Sequence, residues 1–149
     1  MPATVPELKM TRTMDAPVAK VFQAWTDPAL MQRWFAPHPY EVREAEADVR
    51  PGGKYRFVVA SADDGPHTTT GEYLEVEPNR RLVKTWFYEG PHGNDRTPSV
   101  LTVEFREVSP GVTELTLTHA ELRDDEASAG ASAGWTLILD KLAVFLGKE

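Results

Sequence analysis

Histidine is the side chain best suited to moving a proton near neutral pH, and this chain has four: His38, His67, His92 and His119. They are scattered. No two form an H-x-H or H-x-x-x-H pair, His67 and His92 fall in turn-like segments, and no cysteine supplies a thiolate, so no metal site is expected. His119 stands apart, because it extends the alternation Thr113, Leu115, Leu117 and so shares a strand face with two leucines. On a concave face its imidazole would bind a ligand or shuttle a proton. In a plain core it would be a histidine satisfied by a neighbouring strand or helix end. Glu72, directly after Gly71 in a strand pattern, is the acid best suited to partner it, although a solvated or structural carboxylate is the simpler account.

Two arginines also break apolar strand patterns. Arg12 lies on a face with Leu8, Met10 and Met14, and Arg56 lies between Tyr55 and Phe57. A buried arginine must be paired, with Glu72 or Glu104 as candidate partners; facing a cavity, it would select carboxylate or phosphate. On a half-solvated sheet both would simply point outward. The remaining candidates are aromatic. Trp25, Trp34, Phe35, Tyr55, Phe57, Tyr73, Trp86 and Tyr88 can line an apolar pocket or pack as ordinary core. Trp86 and Tyr88 share a face with Leu82 and Lys84, Val83 and Phe87 share the other, and both faces are apolar. Trp34 and Phe35, just before Pro37, are placed to close the mouth of such a pocket. No G-x-S-x-G, P-loop or dinucleotide fingerprint occurs, and Gly52-Gly53 fits a turn better than a phosphate cradle.

The elements that position these residues are legible in order. Glu7 to Met14 alternates as a strand. Asp15-Ala16-Pro17 then starts a helix with Val18, Val21, Phe22 and Trp25 on one stripe, and Asp27-Pro28 starts a second that buries Leu30, Met31 and Trp34. From Tyr40 to Ala120 six strand patterns follow, at 40–50, 54–61, 68–76, 82–89, 99–108 and 113–119. Turn chemistry separates them, at Pro51-Gly52-Gly53, Asp63 to Pro66, Glu77-Pro78-Asn79, Gly90 to Asp95 and Ser109-Pro110-Gly111. Short turns between successive strands predict an antiparallel meander of seven strands. The chain closes on an amphipathic helix with Trp135, Ile138, Leu139, Leu142, Phe145 and Leu146 on one stripe, preceded by Ala127 to Gly134, where no side chain is larger than serine.

At 149 residues the chain fits one domain, residues 1–149. A net charge of -7 and a pI near 5.1 argue against binding a nucleic-acid backbone, which needs clustered Lys and Arg. No stretch approaches the 18 apolar residues of a membrane span, the first residues hold no apolar signal core, and the lack of cysteine suits a reducing compartment. A cytoplasmic protein without membrane contact is expected.

Several phrases, in order, carry a resemblance. Arg12-Thr13-Met14-Asp15-Ala16-Pro17 is followed by Val21 to Pro28 and Arg33-Trp34-Phe35. Gly52 to Phe57, Gly71-Glu72-Tyr73 and Arg81 to Trp86 come next, then Thr113 to His119 and Gly134-Trp135. Together they resemble the activator-of-Hsp90-ATPase-like family of the START/Bet v 1-like superfamily over nearly the whole chain. The resemblance implies an α+β helix-grip fold: a seven-stranded curved antiparallel sheet around a long C-terminal helix, two short helices after strand 1, and an apolar cavity between sheet and helix. It implies no shared reaction, since the superfamily includes lipid carriers, hormone receptors and cyclases. The eukaryotic co-chaperone stimulates its ATPase through an additional N-terminal domain, for which this chain has no room, so an Hsp90 interaction is not expected.

The expected function is therefore binding of a small apolar or aromatic ligand in a central cavity, without a cofactor or an evident catalytic motif. The candidate lining is Trp25, Trp34, Phe35, Tyr55, Phe57, Glu72, Trp86, Tyr88, His119, Trp135, Leu139 and Leu142. One alternative is a cyclase or hydro-lyase using a His/Glu pair, since proximity and one acid–base group suffice for such reactions. The other is a chaperone- or stress-related interaction module, and a weak homodimer is compatible with any of the three.

Overall fold

The computed structural model describes residues 8–36, 40–89, 99–120 and 125–147, the side chains of Tyr88 and of residues 125–134 excepted. Strand β1 (Leu8–Met14) is followed by helices α1 (Val18–Thr26) and α2 (Pro28–Met31). Strands β2 (Glu41–Ala47), β3 (Lys54–Ala60), β4 (His67–Glu77), β5 (Arg81–Glu89), β6 (Ser99–Ser109) and β7 (Val112–Ala120) come next, and helix α3 (Asp125–Gly147) closes the chain. All seven strands form one antiparallel sheet in the order β1-β7-β6-β5-β4-β3-β2. The meander runs from one edge to β7, and β1 closes on β7 by a single long return.

The turns behave as their composition dictates. Gly52 and Gly111 take positive φ (85° and 77°), and Asn79 takes 63°. Strand β2 ends at Ala47, three residues before the alternation in the sequence runs out. Asp48 to Gly53 instead folds back on itself: the Arg50 N–H donates to the Asp48 carbonyl and the Gly53 N–H to the Arg50 carbonyl. Bulges between Val42 and Glu44, Tyr73 and Glu75, and Glu107 and Ser109 shift the register and increase the curl.

Helix α1 departs from expectation at its start. Its N-cap is Pro17 without a side-chain cap; the Val18 N–H instead donates to the Glu107 carboxylate at 2.8 Å, so a strand of the sheet caps the helix. Helix α2 follows the sequence reading, with Asp27 accepting from the Ala29 N–H and Pro28 in the first turn. Met31 and Trp34 are fully buried, and Leu30 is only half-buried. Pro37 to Pro39, expected to end this segment, lie outside the described residues.

The core lies between the concave face of the sheet and α3. Trp135, Leu139, Leu142 and Leu146, at spacings of three and four, are all buried against the sheet. Two polar contacts tether the helix. Arg12 reaches from β1 to Asp140 (2.6 Å), and the Lys141 Nζ donates to the Ala36 carbonyl (2.8 Å). Arg56 faces out and pairs with Glu44 of β2 (3.0 Å). The partners of both arginines therefore differ from Glu72 and Glu104, because each arginine meets the neighbour that its own sheet face presents.

Gly71 is a fixed point of this architecture. A Cβ there would lie 2.1 Å from the Thr85 carbonyl oxygen and under 3 Å from the Tyr55 ring, which lies across the glycine to donate its hydroxyl hydrogen bond to Thr85. Gly71→Ala is expected to destabilise the fold by about 2 kcal/mol or more, since both neighbours are hemmed in by packed backbone and ring. A urea unfolding midpoint equal to that of the parent would show that the ring is not held where the structure puts it.

Candidate functional site

Because directly opposed residues share a face, the register defines one row across the concave side. Tyr73 of β4 opposes Lys84 of β5, Lys84 opposes Leu101 of β6, and Leu101 opposes His119 of β7. All four are buried. This settles which face of β5 looks inward: Leu82, Lys84 and Trp86 do. Tyr88 alternates in register with them, but its side chain lies outside the described residues.

His119 is held on both sides. The Trp135 Nε1–H of α3 donates to Nδ1 at 3.2 Å, so Nδ1 is the unprotonated nitrogen, and the remaining N–H at Nε2 lies 2.7 Å from Ser99 Oγ. Ser99 in turn donates to the Trp86 carbonyl at 3.2 Å. The tautomer follows from this network. Burial pushes the imidazole pKa down to about 4, so the ring is neutral over the physiological range. Helix α3, strand β7, strand β6 and strand β5 are thereby joined by one chain of donors and acceptors. In this arrangement the histidine is a packed, oriented connector with no nitrogen to spare.

Glu72 is not its partner. It opposes the exposed Lys54 across β3 and β4, one position out of phase with the inward pair Tyr55 and Gly71. It therefore lines the convex side, in an open groove of about 510 Å³ with Glu46, Lys54 and Arg56. A His119/Glu72 acid–base pair is not formed, because strand alternation sends the two side chains to opposite faces. His38 and His92 lie outside the described residues. His67 joins Asp64 (2.9 Å) at the end of β4, and among the described residues no three metal-ligating side chains converge.

The expected aromatic residues lie together at the interface between sheet and helices. Trp86 stacks toward Trp135 (centroids 5.4 Å apart), Phe35 contacts Phe57 (5.1 Å), Trp86 (6.1 Å) and Trp135 (6.1 Å), and Trp25 packs between Trp34 (4.8 Å) and Trp135 (6.0 Å). Leu139 and Leu142 complete the layer from α3. Trp34 and Phe35 are 0% and 4% exposed, so they belong to this layer and do not form a rim. The Trp34 indole N–H donates to the Ala24 carbonyl at 3.0 Å and fixes α2 on α1. Among the described side chains, the concave face over Phe57 and Trp86 is thus covered by rings in mutual contact.

The residue that the sequence reading passed over is Lys84. It is fully buried, and its Nζ has no hydrogen-bond partner. Four rings box it in: Tyr55 with its centroid at 4.5 Å, Phe57 at 5.4 Å, Tyr73 at 5.5 Å and Trp86 at 5.9 Å. Burial pushes its pKa down to about 7, and the same burial pushes both phenols, Tyr55 and Tyr73, upward, so they stay protonated. The Tyr73 hydroxyl, like the amine, is buried without a partner. Chemically this is an aromatic box that holds a titratable amine beside a phenolic donor. The signal was present in the alternation Leu82, Lys84, Trp86, where a lysine interrupts an apolar face as Arg12 does in β1.

No described helix is long and apolar enough to cross a membrane. Comparison with known proteins matches residues 15–147 to the family described as activator of Hsp90 ATPase homolog 1-like protein. Among curated proteins no sequence matches the chain. Solved structures do. A Chromobacterium violaceum protein is 24% identical over 96% of this chain and 99% of its own, with a TM-score of 0.85. A Rhizobium leguminosarum protein is 32% identical over 97% and 95%, with a TM-score of 0.74. DynU16, a protein in the dynemicin biosynthetic locus, is 24% identical over 95% of this chain and 47% of its own, with a TM-score of 0.74.

The buried titratable pair makes stability depend on pH. Unfolded, Lys84 keeps its proton up to its ordinary pKa of 10.5; folded, it releases it near 7. Between these values the unfolded chain binds more protons, so stability should rise with pH above 7, by up to about 1.4 kcal/mol per pH unit. His119 acts in the same direction lower down: stability falls as pH drops from 6.5 toward 4, where only the unfolded imidazole is readily protonated. Urea unfolding between about pH 7 and 9 should show the upper ramp in the parent and a flat, higher profile in Lys84→Met. A parent profile that is flat or declining across that window would refute an amine released near neutrality.

Proposed function

Because the chain belongs to the activator of Hsp90 ATPase homolog 1-like family, and folds as a helix grip, we propose that it binds a small, planar aromatic molecule between the sheet and α3. The observation that carries this reading is the convergence of Phe35, Phe57, Trp86 and Trp135 around the concave face, with centroids 5 to 6 Å apart. Rings at that spacing present faces and edges on which another ring packs well. The helix supports the reading from its own side. Its C-terminal half fills the grip with Trp135, Leu139, Leu142 and Leu146, whereas residues 127–134 form about two further turns without a side chain larger than serine. By composition alone, those turns bring little apolar volume of their own.

The likeness in fold to DynU16, a protein in the dynemicin biosynthetic locus, supports a ligand-binding domain.

Tryptophan fluorescence of the full chain, titrated with 2-naphthamide and other neutral planar aromatics, is expected to show saturable quenching. Trp86→Ala should weaken it about tenfold, the loss of roughly one stacking contact. Native mass spectrometry of protein purified gently from its host should show a discrete aromatic mass released on denaturation. Absence of saturable binding across the whole panel would sink the reading.

A further inference from the structure

We propose that the ligand carries an acidic oxygen, and that the Lys84 amine together with the Tyr73 hydroxyl is the site that receives it, so that the preferred class is an aromatic carboxylate. The inference deepens the aromatic-binding reading and rests on it.

Three observations carry it. First, the buried side-chain polar atoms without a partner, among the described residues, are Trp25 Nε1, Tyr73 Oη, Arg81 Nε and Lys84 Nζ. Every one of them can donate a hydrogen bond, and no carboxylate or amide oxygen is left over. An interior with a surplus of donors is matched by an acceptor. Second, two of these donors are neighbours. Tyr73 and Lys84 are directly opposed across β4 and β5, both fully buried on the concave face, and the amine lies 5.5 Å from the Tyr73 ring centroid. Third, among the described residues the amine has no counter-ion. The groups that face it are Tyr55 and Phe57 from β3, Tyr73 from β4, Trp86 from its own strand and Leu101 from β6, and the Tyr55 hydroxyl is already used on the Thr85 carbonyl. Of the acids on β4 and α3, Glu72 faces the convex side, Glu75 lies by Arg81, and Asp140 is taken by Arg12.

A carboxylate brought to this side of the aromatic layer would give the ammonium a counter-ion and the unpartnered phenol an acceptor, and its ring would rest on the layer. Binding then draws a proton onto the amine, since an adjacent anion favours the charged form and reverses the effect of burial. A neutral carboxamide keeps the ring contacts and can accept a hydrogen bond, but it brings no charge to hold a proton on the amine.

The test uses the full chain with 2-naphthoate and 2-naphthamide, which share a ring system and differ in charge. Naphthoate is expected to bind about tenfold to a hundredfold more tightly, as a charge-assisted hydrogen bond in a buried site would give. Lys84→Met should abolish that preference, so that the variant binds the two probes with about equal affinity. Calorimetry of the parent near pH 8, in buffers of different ionisation enthalpy, should show uptake approaching one proton for naphthoate and none for naphthamide. That measurement decides the matter even if Lys84→Met does not fold. Equal affinities without proton uptake would overturn the acid site and leave the aromatic-binding reading standing. Binding of neither probe would overturn both.

Discussion

The curl of one sheet around one helix governs what the rest of this molecule can do. Seven antiparallel strands bent by three bulges have a concave face that must be covered, and α3 is the element long enough to cover it. Burial does most of that work. Each of Trp135, Leu139, Leu142 and Leu146 contributes about 1.5–3 kcal/mol relative to exposure. The Arg12–Asp140 contact is partly exposed, so it sets the position of the helix on β1 more than it holds it there. The same constraint fills the inward face of the strands mostly with rings and aliphatic side chains, which makes a buried charged or titratable group there conspicuous.

Two such groups are handled in opposite ways. His119 is built into a closed sequence from Trp135 to Ser99 to the Trp86 carbonyl, in which each donor meets an acceptor. Burial keeps it neutral, and a neutral imidazole with both nitrogens engaged costs little to enclose. Lys84, two strands away in the same row, has an amine walled by rings and without a hydrogen-bond partner. Cation–π attraction offsets only part of the desolvation of an ammonium. The first group stiffens the grip, and the second leaves it with unmet hydrogen-bonding capacity.

Much of the fold could be read from the chain because local chemistry decides it. Proline, glycine and asparagine at the turns delimit the strands, and the spacing of Trp135, Leu139 and Leu142 marks the helix that faces them. What escaped were the contacts made between distant segments. The cap of α1 comes from Glu107 and the partner of Arg12 from α3, and neither is adjacent in sequence to what it serves. Period-two alternation tells which residues share a face, but on β5 both faces are apolar, so only the assembled sheet shows that Lys84 and Trp86 look inward. Glu72, a candidate acid in the sequence reading, shows the same limit: a single strand position sends it to the convex side.

The position of the amine can be traced back to a missing side chain. Gly71 lacks the Cβ that would strike the Thr85 carbonyl and the Tyr55 ring, so the phenol can lie flat across β4 and donate to Thr85. With its hydroxyl spent on backbone, Tyr55 turns its ring face toward Lys84, and that face is the nearest wall of the box. The choice of lysine is then consequential. A guanidinium is always charged and would have to be paired at once, whereas an amine can give up its proton while enclosed and regain it when an anion arrives. A turn of backbone geometry at one glycine thus reaches, through one tyrosine ring, to the protonation of the group that faces the interior.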